Sequence, residues 1–234
     1  MLKKPAVALM GGVVKRILPY LFVSALVIAF WQLATMTDNY AWTPKGEELE
    51  RLEKALTEIF FYKTIFWLVT FNLIIFTLIR LKKRDYKVSL AVLALTVAYH
   101  VLAGRLINEK CVVHYYTVFQ NQSVAEEYIV QPIEQAGKAI GPILTKKILE
   151  KDLKYRLYAM LGLQIIGYKP AAYAMEKILV DTSENYSYRA KAYEVLRHFN
   201  DKSSQRAVHQ FERNATDSVD LKVIELGEYF FNSK

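Results

Sequence analysis

The residues able to carry chemistry are few. Histidine stands only at 100, 114, 198 and 209, and cysteine only at 111. No two histidines have the H-E-x-x-H spacing that puts paired imidazoles on one helical turn. Cys111 with His114 at i+3 lacks the companion ligands of a tetrahedral zinc site. A thiol activated by that neighbouring imidazole is the one nucleophilic reading, and two adjacent residues on a connector account for the pair better. The Walker phosphate loop, the G-x-S-x-G elbow and the glycine-rich dinucleotide turn are all absent. These observations predict a protein that is not an enzyme and holds no metal or cofactor. With one cysteine, no intrachain disulfide can form.

A second set of polar residues lies inside apolar stretches: Gln32, Asn72, Thr96, His100 and Gly104. Thr96, His100 and Gly104 recur at i, i+4 and i+8, which gives one helix a small and polar stripe. A proton or ion relay is one reading, because ionisable groups in a bilayer are costly and mark pathways. Helix packing is the other, in which small residues allow close approach and Asn, Gln, Thr and neutral His bridge between helices. With a single histidine and no carboxylate inside these stretches, packing is the better account. Lys63 and Arg105, near the ends, can carry their charges into the interface.

The elements that would position these residues follow from the distribution of apolar side chains. Of the 234 residues 53% are apolar, and three stretches approach the roughly 20 residues that cross a hydrocarbon core, namely 17–36, 59–79 and 89–107. The chain divides into a membrane domain over 1–108, a connector and capping helix over 109–137, and a polar–apolar helical domain over 138–234. A signal peptide is a rival for the first stretch, but the run is long and no small-x-small cleavage site ends it. A mitochondrial presequence is a second rival, weakened by the missing serine and sparse arginine in 1–16.

The net charge of +8 is a topology signal more than a nucleic-acid signal, so no nucleic acid is expected as a partner. Residues 1–16 and 80–87 each carry a net +4, loop 37–58 carries −3, and everything from Glu109 onward is nearly balanced. Basic residues collect on the cytoplasmic side of short loops. The N-terminus and 80–87 are therefore placed inside, and loop 37–58 and the C-terminal half outside. A bacterial inner membrane is the expected setting, with the C-terminal domain periplasmic or extracellular. Within the outer loop, Leu49, Leu52 and Leu56 at i, i+3 and i+7 predict an amphipathic helix leading into the second stretch. Cys111 to Phe119 is β-branched and aromatic, and reads either as a strand or as an interfacial segment.

The C-terminal part has an internal period. Three helical hairpins overlay at about 138–167, 168–200 and 201–232, with the basic residues Arg156, Arg189 and Lys222 spaced by 33 and 33. Pro142 and Pro170 open the first helices of two units. Ala192, Val195, Leu196 and Phe199 give the second unit a core face, leaving Lys191, Glu194 and His198 on the other side as a candidate partner-binding face. The helix 157–166 is apolar almost all round, so burial on more than one side is expected, with Val124 to Ala136 as its cap.

On Pro142 and Pro170, the Tyr-Arg pairs at 155–156 and 188–189, and the Leu161-Gly162-x-x-x-x-Gly167 ending, this part resembles the HEAT-like helical repeat family over about 95 residues. The third unit departs from that pattern, with no early proline and Lys222 in place of arginine, which suits a terminal repeat. The resemblance implies an all-α protein whose short α-solenoid offers a binding surface, with the second helices on the concave side, and it implies no catalysis.

Together these readings predict a non-catalytic, membrane-anchored scaffold whose partners are the bilayer and other membrane or peripheral proteins; a homo-oligomer fits as well. The alternative is an accessory subunit of a transport, secretion or respiratory assembly, meeting its partner in the bilayer at Thr96 and His100. Asn121, Asn185 and Asn214 stand in N-x-S/T sequons, which matter only in a eukaryotic secretory pathway.

Overall fold

The structure, a computed structural model, describes residues 14, 16–30, 44–123 and 128–233. Among them every element is a helix, and two compact units divide the chain. The first unit comprises 1–39 and 56–111, the second 40–55 and 112–234.

In the first unit, α1 is described over Arg16–Phe30, so residues 31–36 of the first apolar stretch, Gln32 among them, lie outside the described residues. Helices α2 (Glu47–Lys82) and α3 (Tyr86–Asn121) have 36 residues each, a length of about 54 Å against a hydrocarbon core of ~30 Å. Both are long and apolar enough to cross a membrane. Their most apolar windows are only 22% and 6% buried, whereas the core helix of a soluble domain would be mostly buried. The ends of α2 suit its dipole, with Glu47, Glu48 and Glu50 in the first turn and Arg80 and Lys82 in the last. The turn to α3 is closed by Asp85 N–H donating to Arg80 O at 3.1 Å, with Arg84 in the left-handed region.

The helices of the first unit are antiparallel. Lys63 Nζ donates to Asn108 Oδ1 at 2.7 Å, and the Phe66 ring stacks on Tyr99 at 5.8 Å. On the other side Asn72 Nδ2 donates to Ser24 Oγ at 3.0 Å.

Residues 111–119 are helical, which corrects the expectation of a strand. Cys111, Val112, Tyr115, Val118 and Phe119 are buried at i, i+1, i+4, i+7 and i+8, the spacing of one helical face. That shared face outweighs the β-propensity of the individual side chains. Within the second unit Asn121 accepts from Arg51 Nε at 2.9 Å and Gln120 donates to Lys154 O at 3.1 Å.

The rest of the second unit contains α4 (Gln131–Ala136), α5 (Gly141–Lys147), α6 (Arg156–Ile165), α7 (Ala172–Val180), α8 (Tyr186–Phe199), α9 (Lys202–Asn214) and α10 (Ser218–Asn232). Short 3-10 turns at Gly137–Ile140 and Lys169–Ala171 lead into α5 and α7. Pro142 lies in the first turn of α5 and Pro170 in the turn before α7, where a missing N–H costs nothing. Asn185, Asp201 and Asp217 cap α8, α9 and α10 by accepting backbone N–H groups of the first turn. Gly167, at φ +60, ends α6 while Tyr168 N–H reaches back to Leu163 O and Gly167 N–H to Gln164 O, a Schellman closure.

Helices α6, α8 and α10 neighbour one another in sequence order, and α7 lies against α9. Helix α8 is the hub, touching α6, α7, α9 and α10. Two close approaches depend on glycine. A Cβ on Gly162 would stand 2.5 Å from Ile133 of α4, and one on Gly227 would stand 2.5 Å from the ring of Tyr193. Ile133 and Tyr193 are fully buried as a result. Helix α6 is thus covered by α4, α5 and α8, which explains its nearly continuous apolar sequence.

Candidate functional site

In the first unit the structure brings two of the predicted contact residues, His100 and Gly104, to one aromatic cluster. His100 tilts against Phe66 at 5.1 Å and Trp67 at 5.9 Å, and a Cβ on Gly104 would meet the Phe66 ring at 3.5 Å, an ordinary van der Waals distance. Thr96 is buried on the same stripe with its hydroxyl turned onto Val92 O at 2.8 Å. Asn72 belongs elsewhere, binding Ser24 and its own helix through Leu68 O at 2.7 Å. His100 itself is exposed at the helix surface. Among the described residues no group of three or more His, Cys, Asp or Glu could hold a metal ion.

The second unit is organised by two buried arginines, each performing the same three tasks. Arg156 Nε donates to Ile148 O at 2.6 Å, just past the end of α5. Its guanidinium pairs with Glu184 at 2.7 Å and lies over the Tyr188 ring at 4.8 Å. Arg189 Nε donates to Leu179 O at 2.8 Å in the last turn of α7. Its guanidinium pairs with Asp220 at 2.5 Å and lies over Phe211 at 5.5 Å. Each arginine closes the carbonyl end of its own hairpin's first helix and ties that hairpin to the next one. Both side chains are 2% exposed, so each carboxylate neutralises a charge that water does not reach.

Lys222 does not continue this series, a correction to the spacing. It is exposed, with Nζ over the Tyr186 ring at 4.2 Å, and it is Asp220 of the same turn that meets the preceding arginine. The Tyr-Arg pairs are also unequal. Tyr188 lies in the first turn of α8, whereas Tyr155 takes a left-handed conformation before α6 and donates its hydroxyl to Gln122 O at 3.0 Å. The acids at 184 and 220 were missed by the sequence reading. Their signal is an acidic residue near the start of the second helix that follows each arginine.

The expected partner-binding face is also corrected, because α10 packs over it. Glu194 is fully buried and pairs with Lys191 at 2.6 Å, and His198 lies against Phe231 at 4.7 Å. Beside them Tyr193 is within 2.7 Å of both Glu212 of α9 and Glu228 of α10, and Arg197 pairs with Glu228. Burial, with Glu212 alongside, pushes the Tyr193 phenol far above its ordinary value, so it stays protonated as a donor. At the rim Asp181 is held down at about 2 by the Ser183 hydroxyl, and by Lys151 at 3.1 Å. Asn121 is buried and bonded to Arg51 and Thr117, which closes that sequon in the folded protein.

What remains open on the second helices is a set of apolar side chains. Leu157 and Ile165 of α6 lie two turns apart, and Leu221 and Tyr229 of α10 are likewise exposed. Comparison with protein-family models, with curated proteins and with solved structures gives no match.

Proposed function

We propose that the protein is a non-catalytic, membrane-anchored scaffold. In this reading α1, α2 and α3 are three membrane spans, with the basic stretch 80–87 on the cytoplasmic side. The second unit is a short HEAT-like α-solenoid on the other side, which binds a second protein. The observation that carries the reading is the use to which the buried polar groups of the second unit are put. Arg156 and Arg189, with Glu184 and Asp220, hold one hairpin against the next, as a rigid presenting surface requires. The apolar side chains left open, Leu157 and Ile165 with Leu221 and Tyr229, form the surface offered to an amphipathic segment of the partner.

The test is purification of the tagged full-length chain in mild detergent, followed by mass spectrometry of what co-migrates. A stoichiometric protein partner, lost on Leu157→Asp with Ile165→Asp while the chain remains folded, supports the scaffold. The same partner retained by that double variant contradicts it.

A second reading, an accessory subunit assembled inside the bilayer, is favoured by one observation. His100 sits within a span yet is exposed, and a polar side chain facing lipid is costly unless another helix covers it. In that case His100→Leu releases the partner and the α6 variants do not.

A further inference from the structure

We propose that the groove between α1 and the C-terminal half of α2 is a binding site for one anionic phospholipid, holding an acyl chain along its floor and the phosphate at its basic mouth. This rests on the reading of α1 and α2 as membrane spans.

The floor has a volume of about 390 Å³ and is lined by Tyr20, Leu68, Val69, Asn72, Leu73 and Phe76. Five of these present hydrocarbon or ring surface, and the Asn72 amide donates its N–H groups to Ser24 Oγ and Leu68 O. An acyl chain therefore meets mostly hydrocarbon and ring surface along the groove, with the amide donors already engaged.

The mouth follows from the antiparallel pairing of the two helices. Ser24 meets Asn72, and Tyr20 shares the groove with Leu73 and Phe76, so residue numbers fall along α2 as they rise along α1. One turn beyond Tyr20 is Arg16, and one turn beyond Phe76 is Arg80; the groove thus ends between two guanidinium-bearing turns. Arg80 lies over the Phe76 ring at 5.0 Å, which directs its stem along the groove wall. Among the described residues one carboxylate pairs with it, Asp85 at 3.5 Å from Nη1, leaving its other N–H groups able to bind phosphate oxygens. Lys82, Lys83, Arg84 and Lys87 at the same end add a weaker, screened positive field around the mouth, while Arg16 and Arg80 flank the phosphate and select an anionic headgroup over a zwitterionic one.

A second apolar groove on α1, lined by Val23, Leu26, Val27, Phe30, Trp67 and Phe71, serves as an internal comparison. It lies further from the basic end and is expected to hold acyl chains without headgroup preference.

The experiment reconstitutes the full chain in nanodiscs of equal parts phosphatidylglycerol and phosphatidylcholine with identical acyl chains, then counts retained lipids by native mass spectrometry. The expected result is one phosphatidylglycerol per chain, retained about tenfold over phosphatidylcholine, the order that one or two arginines give at an anionic surface. Arg16→Gln with Arg80→Gln should bring that ratio to about one. Val69→Trp, which fills the groove from an exposed position, should remove the retained lipid with helicity unchanged. Lys87→Gln, on α3 and outside the groove, should lower the ratio less than threefold. Equal retention of the two lipids by the unaltered chain, or a preference that survives both arginine substitutions, overturns the site while leaving the spans standing. Failure of the chain to enter the nanodisc overturns the spanning reading and the site with it.

Discussion

In the first unit the hydroxyls of Thr70, Thr77, Ser89 and Thr96 each turn back to the carbonyl four residues earlier, at 2.8 to 2.9 Å. In the second unit Arg156, Arg189 and Tyr193 reach across helix boundaries to carboxylates on neighbouring elements. The difference is one of reach. A Ser or Thr hydroxyl can reach the carbonyl one turn back in any helix, as Thr117 and Thr145 of the second unit also do at 2.9 and 2.7 Å, so such a bond needs no neighbouring element. A helix enclosed by four others has polar groups within reach on several of them, and long-range pairs become the means of fixing which helix lies where. The first unit should therefore tolerate loss of these hydroxyls, whereas the second should not tolerate loss of its cross-helix pairs.

The largest expected effect comes from Asp220→Ala, which leaves the Arg189 guanidinium buried without its carboxylate. The cost should be about 3–5 kcal/mol, read as a lower denaturation midpoint. Arg189→Met with Asp220→Leu removes both charges and should recover most of that loss. If the single variant is as stable as the unaltered chain, the cross-hairpin pairing does not hold the stack together.

Next in size is a pair of glycine substitutions that sets the two units side by side. Gly227→Ala in the second unit puts a methyl 2.5 Å from Tyr193, within a core that cannot yield, and should cost about 1–3 kcal/mol. Gly104→Ala in the first unit meets Phe66 at 3.5 Å and should be close to neutral. Thermal unfolding followed by circular dichroism in detergent separates the two.

Which of these features could be read from the sequence follows from how many neighbours each helix has. The apolar runs of α2 and α3 are self-sufficient signals, and their helices are where the runs are. The spacing of Arg156 and Arg189 was legible because a repeated task leaves a repeated residue. Lys222 misled because spacing matches residue types, whereas the structural counterpart is an ion pair whose acid, Asp220, sits two residues earlier. Lys191, Glu194 and His198 misled for a related reason. A helical wheel assumes one buried and one open face, but α8 is enclosed by α6, α7, α9 and α10, and its polar side became a polar seam. Cys111 to Phe119 shows composition outweighing period in the reading when the period was the better guide.

A smaller effect tests the tolerance expected of the first unit. Thr96→Val removes a hydroxyl bonded only within its own helix and should change stability by less than about 1 kcal/mol. A larger loss would show that the hydroxyl supports packing between the helices of the first unit.

The smallest effect concerns acid. Asp181 has its folded value lowered to about 2 by Ser183 and Lys151, from an ordinary 3.8. A lowered carboxyl stabilises the fold fully above its unfolded value and loses that contribution as pH falls to the folded one. The stability of the second unit should therefore decline between pH 4 and 2, and Asp181→Asn should flatten that limb in urea titrations.

The central claim, a membrane anchor carrying an external helical domain, is tested most directly by one labelling measurement. Cys111 is replaced by serine, single cysteines are placed at Lys83 and Arg206, and intact bacterial cells expressing each variant are treated with a membrane-impermeant maleimide before alkaline extraction. The account predicts that both variants stay in the membrane pellet, that the cysteine at 206 is labelled in intact cells, and that the one at 83 is labelled only after lysis. Release of the chain into the alkaline supernatant, or labelling at 83 with protection at 206, would contradict it.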